Sequence, residues 1–192
     1  MSYNRIVEGY HGCDKSIFDK VVYKKMQMIK SVNPYDWLGH GIYFWEDDLK
    51  RAFDWSVESS KRIDSKIKEP AVIGARINLG NCLNLSNSQH LEYLKNHFEI
   101  YKKEMQILGK PIPRNKDVKN NNDLLLRYLD CAVIQHMHKF IKENDMVPFD
   151  TIRGVFQEGQ PLYETSGIRD KNHIQICVCN PESIIRFFNP HT

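Results

Sequence analysis

No run of 18 apolar residues occurs in the 192-residue chain, so nothing in it reads as a membrane-spanning helix. Cysteine is sparse and shows no paired spacing. Cys13, Cys82, Cys131, Cys177 and Cys179 make an odd number, and no Cys/His set has zinc-site spacing. That argues against a disulfide framework and a structural zinc, and leaves buried free thiols as the expectation. Neither sign of charge dominates: 27 Lys and Arg against 24 Asp and Glu leave a formal net charge of +3. This balance permits a nucleic-acid partner without demanding one. The glycines lack the G-x-G-x-x-G spacing after a strand, which excludes a Rossmann dinucleotide fingerprint. Internal repeats are absent, and low complexity is confined to the asparagines at 120–122. The opening "MSYNRIVEGYHG" has no apolar signal-peptide region. The expectation is a cytoplasmic protein with no membrane partner.

What is present is an ordinary globular composition, 41% hydrophobic and 27% charged, on a length that suits one domain spanning 1–192. Strand-like stretches lie at "RIVEGYHGC", "HGIYF", "AVIGARINLGNCLNL", "FDTIRGVFQEG" and "HIQICVCN", and "ESIIRFF" reads as a final strand or short helix. Helical spacing of apolar residues covers 14–29, 46–63, 86–108 and 123–144, with Asp123 as the cap of the last. Strands cluster at both ends and helices in the middle. This order predicts an α+β fold whose sheet is built from distant segments, with a helical insert around 86–145.

Several residues have chemical potential. In "YHG", His11 stands at the predicted end of a strand, and Gly12 would let a ligand approach the main chain. In "GHGIYFWEDDLKRAFDWS", strand alternation puts Tyr43 and Trp45 on one face and sends Phe44 to the core. His173 and Gln175 lie two apart and share a strand face. Glu158 and Glu164 flank Gly159 and Pro161 in the preceding loop. By themselves these are common features of strand ends, cores and loops.

Taken in order, "YHG", then "GHGIYF" before a helix carrying Ala52 and Trp55, then "HIQICVCNPESI" resemble the ADP-ribosyltransferase superfamily. The likeness is to its diphtheria-toxin and poly(ADP-ribose) polymerase branch. The anchors lie at about 9–56 and 150–188, and the helical middle matches nothing in the pattern. The resemblance implies a split β-sandwich of two packed sheets with surrounding helices. It implies NAD as co-substrate and needs no metal. His11 would bond a ribose hydroxyl, Gly12 the nicotinamide carboxamide, and Tyr43 would stack on the nicotinamide ring. Trp55 would form the second aromatic wall, and Arg153 would bind the pyrophosphate. Gln175 falls where the family usually has glutamate, so the full negative charge that steadies the transition state is missing. Glu158 or Glu164 would compensate, and His173 would serve as general base.

The function this implies is mono-ADP-ribosylation of a macromolecule by a toxin or defence effector. The mildly basic charge favours RNA or DNA over protein as acceptor, with Arg114, Lys116, Lys119, Arg169 and Lys171 as candidate phosphate contacts. A toxin acting inside the cell would have an antitoxin protein as partner. The alternatives are an NAD glycohydrolase and a catalytically inactive NAD- or ADP-ribose-binding module.

Overall fold

The structure is a computed structural model that describes residues 5–118 and 123–191. Stretches rich in β-branched and aromatic residues form β1 (Ile6–Asp14), β2 (Ile42–Glu46), β3 (Pro70–Asn78), β4 (Cys82–Asn84), β5 (Thr151–Phe156), β6 (His173–Val178) and β7 (Ile184–Phe188). The helically patterned stretches form α1 (Lys15–Phe18), α2 (Leu49–Ser60), α3 (Ser88–Ile107) and α4 (Tyr128–Glu143). Asp48 and Asn87 cap α2 and α3 by accepting backbone N–H groups of the first turn. Among the described residues, no helix is long and apolar enough to cross a membrane.

The fold is α+β, as the order of patterns predicts. Its strands lie in one mixed sheet, ordered β4-β5-β6-β2-β1-β3-β7, with β4 and β5 parallel. The expected pair of separate sheets is thus replaced by a single hydrogen-bonded one, but the join between its halves is narrow. β1 and β3 pair along the whole of β1, whereas β1 and β2 pair only at Gly9–Glu46 and Tyr10–Trp45. Beyond Tyr10 these strands part. The His11 ring spans the gap, donating from Nδ1 to the Tyr43 carbonyl at 2.8 Å.

One face of the sheet buries Val7, Phe44, Ala75, Ile77, Ile176 and Val178, none more than 8% exposed. No helix contributes a residue to this cluster. Among the described residues this cluster is built from strand and loop side chains, with Met28, Ile184 and Phe187 packed against it. The other face is covered in two places. α2 packs Ala52 against Trp45 and Val72, and α4 packs Ile134, Met137 and Ile141 against Ile152 and Cys177. Between these two helices the middle of the face, over β2 and β6, lies open. The insert is thus part of the core on the α4 side.

Several local expectations change. The helix expected over 14–29 ends in a π-helical turn at Asp19–Tyr23, and Lys25 has φ +53°. Gly80, at φ +56°, separates β3 from β4. The last helix begins at Tyr128, because Asp123 is engaged elsewhere: its carboxylate accepts from Gly159 N at 3.1 Å and Arg169 Nη1 at 3.3 Å. Gly12 lies inside β1 and not at its end. A Cβ there would stand 2.3 Å from the Ala52 carbonyl oxygen and 3.1 Å from the Trp55 ring. Its lack of a side chain admits helix α2, where the sequence suggested a ligand.

Candidate functional site

The open middle of the outer face is a cleft of about 1020 Å³. Its floor holds Tyr43, Trp45 and Gln175, and His11 reaches it through the gap between β1 and β2. One wall is a single face of α2 and its continuation, with Arg51, Trp55, Glu58, Ser59 and Arg62 at helical spacing. Asp36 and Trp37 line the cleft as well, and Glu158 meets the α2 wall at Arg51. Five residues named from sequence, His11, Tyr43, Trp55, Glu158 and Gln175, therefore meet in one place.

Each is held in a defined way. Because the Tyr43 carbonyl can only accept, His11 carries its proton on Nδ1. Burial lowers its pKa and keeps the ring neutral, so Nε2 presents a lone pair. The Tyr43 hydroxyl accepts from Leu38 N at 2.8 Å and donates to the Gly39 carbonyl at 2.6 Å. Those bonds fix the hydroxyl end of a ring that lines the cleft. Burial raises the phenol pKa strongly, so the hydroxyl stays protonated. Trp55 lies beside Trp45, ring centres 5.6 Å apart.

Gln175 and His173 form a linked pair. His173 Nδ1 donates to the Lys171 carbonyl at 2.7 Å, which makes Nε2 an acceptor. The Gln175 amide nitrogen donates to it at 3.2 Å. This orders the amide, with nitrogen towards His173 and Oε1 left for the cleft. The His173 side chain is 0% exposed, and burial brings its pKa down to about 4. Its side chain is buried among Trp37, Trp45 and Glu158 on the cleft side of the sheet, and both its nitrogens are engaged, so it is not free to act as a general base. It positions Gln175 instead.

Glu158 is 8% exposed. Burial pushes its pKa up, opposed by Arg51, whose Nη2 donates to Oε2 at 3.4 Å. Arg153 does not enter the cleft. It is committed to Glu46, with Nε–Oε2 at 2.5 Å and Nη2–Oε1 at 3.1 Å, and cannot serve a pyrophosphate there. Gly12 does not line the cleft either. Glu164 is exposed outside it. Lys171 lines the cleft and donates to Glu58 at 2.7 Å. Arg114 and Lys116 are exposed and do not line it, and Lys119 lies outside the described residues.

Arg51 escaped the sequence reading, and Trp45 was read only as sharing Tyr43's face. Arg51 stacks over Trp45, 5.7 Å from the ring centre. Its Nε and Nη1, and Trp45 Nε1, are buried without a hydrogen-bond partner among the described residues. The i, i+4 spacing of Arg51 and Trp55 was the available signal. Among the described residues no His, Cys, Asp and Glu side chains form a set of three able to hold a metal ion.

Against known proteins, no family model matches the chain and no solved structure does. An uncharacterized protein of Methanocaldococcus jannaschii is similar, at 27% identity over 203 aligned positions. The likeness covers 96% of this chain and 86% of that protein, so it extends through the helical middle as well as both ends.

Proposed function

We propose that this chain is a cytoplasmic NAD-dependent mono-ADP-ribosyltransferase, and that the two halves of its single sheet, joined only at Gly9–Glu46 and Tyr10–Trp45, correspond to the split β-sandwich of the diphtheria-toxin branch. It acts on a macromolecule, nucleic acid ahead of protein, as a toxin or defence effector with an antitoxin protein as partner. The observation that carries this reading is the convergence of His11, Tyr43, Trp55, Glu158 and Gln175 on one cleft from four separate parts of the chain. Tyr43 and Trp55 line the same cleft, and in this reading they supply the aromatic surfaces for the planar cationic nicotinamide ring. His11 Nε2 and Gln175 Oε1 are acceptors for ribose hydroxyls. The reaction breaks the bond between nicotinamide and ribose, and positive charge grows on the sugar as it breaks. Held acceptors and aromatic faces favour that state by position, an effect of about 7–11 kcal/mol in the best-oriented cases. Gly12 and Arg153 have no part in it.

The test is incubation with NAD labelled in its adenosine half, together with cell RNA or protein. Label on a macromolecule, lost in His11→Ala and Tyr43→Ala, is the expected result. Free ADP-ribose alone would identify a glycohydrolase. Retained NAD binding with no product would identify a binding module.

A further inference from the structure

We infer that a second, apolar slot next to the cleft binds a monocarboxylate with a hydrocarbon tail, and that Arg127 holds the carboxylate. The inference is independent of the transferase reading. The slot is a cavity of about 420 Å³ walled by α3 and α4. Trp37 lines both the slot and the cleft, so the two share a wall. On the α3 side stand Leu91, Leu94 and Phe98, which recur at helical spacing, and on the α4 side Val133 and Ile134. Apolar side chains from two helices normally meet in close packing. Around a hollow of this size they forgo contacts that an apolar guest would restore. The volume and the apolar lining suit a small ligand.

The polar groups of the slot set the head of the ligand. The Arg127 guanidinium lies 4.3 Å from the Trp37 ring centre and 4.8 Å from that of Phe156, in the lining of the slot. Its Nε is buried without a hydrogen-bond partner among the described residues. Its ion pair with Asp130 is long, Nη1–Oδ2 at 3.5 Å. Buried donors are rarely left unpaired without a reason. The planar fork of a guanidinium matches the two oxygens of a carboxylate. The charged residues of the lining are Lys95, Arg127 and Asp130, two cations against one anion. A single negative charge balances them. A dianion would carry a second, unbalanced charge in among apolar walls and beside Asp130, which is costly. The carboxylate therefore sits at Arg127, and the tail runs along the Leu91, Leu94 and Phe98 side of α3.

The experiment is titration calorimetry of the whole protein with saturated carboxylates from butyrate to dodecanoate, each kept below its micelle concentration, and with the alcohols of the same lengths. Affinity should rise about tenfold for each two methylenes added and level off when the slot is full. Each carboxylate should bind at least tenfold more tightly than its alcohol. The alkyl phosphate of equal length should bind more weakly than the carboxylate. Arg127→Gln should bring carboxylate and alcohol within threefold of each other, and Leu94→Trp, which fills the slot, should weaken both. The chain-length, alcohol and phosphate comparisons use the unaltered protein and stand if a variant does not fold. No binding of any carboxylate, affinity independent of chain length, equal binding of carboxylate and alcohol, or tighter binding of the alkyl phosphate would each overturn the inference. So would a folded Arg127→Gln variant that keeps the carboxylate preference. Each of these results leaves the transferase reading untouched.

Discussion

Replacing Arg153 by leucine removes one half of a buried ion pair. The two side chains are 9% and 3% exposed, and two hydrogen bonds join them. Glu46 would keep only Arg5, at 3.2 Å, whose side chain is 55% exposed and already in place. Asn84 and Ser86 would lose their weaker contacts to Nη1 at 3.3 and 3.4 Å. Stranding one charge of such a pair costs about 3–5 kcal/mol. For a chain of this size that is a fall in melting temperature of roughly 10 °C. Removing both charges in Glu46→Leu with Arg153→Leu strands nothing, and buried pairs replaced by apolar residues are often neutral in stability. The double variant should therefore melt well above the single one. Calorimetry with NAD titration on the folded proteins decides it. A single variant within about 2 °C of the parent would refute the reasoning, as would a double variant no better than the single one. A selective loss of NAD affinity at unchanged stability would return Arg153 to the cofactor.

Three further outcomes are expected. Gly12→Ala places a methyl 2.3 Å from a main-chain oxygen, so α2 must move, and urea titration should show a loss of about 1–3 kcal/mol. His173 has its pKa lowered from 6.5 to about 4, so between those values the unfolded chain binds a proton that the folded one refuses. Stability should then fall with acid through that window, by about 3 kcal/mol in all, and His173→Gln should flatten the fall seen in urea titrations at stepped pH. If the proposed transferase reading holds, Gln175→Glu should raise nicotinamide release from NAD, since carboxylate charge supports the opening sugar; an unchanged rate would show that charge at 175 is not the missing term.

Local pattern made much of this visible in sequence. Alternation in "IYFWE" separates Phe44, 0% exposed, from Tyr43 and Trp45 on the cleft side. The caps of α2 and α3 and their apolar spacing are also local. The losses share one cause, a partner far away in the chain. Arg153 stands in a strand with nothing beside it to announce Glu46, 107 positions earlier. Asp123 has the form of a helix cap, but Gly159 and Arg169 claim its carboxylate. The Gly12 signal was real and its meaning was inverted, because a missing side chain admits a helix as readily as a ligand. The unused donors of Arg51 and Trp45 can be found only by counting partners in three dimensions.

Gln175 shows how a substitution that looks like a loss in sequence acquires a definite role in space. A free amide can turn either end to a ligand, and a glutamine in place of a carboxylate then loses both charge and direction. Here the direction is set by a neighbour on the same strand face. Lys171 fixes the His173 tautomer, His173 takes the amide nitrogen, and the oxygen is left for the cleft. Burial keeps His173 neutral, so the chain of bonds holds at ordinary pH. A glutamate at 175 would face the His173 lone pair and could bond it only if a proton were added. The buried histidine and the glutamine are therefore matched.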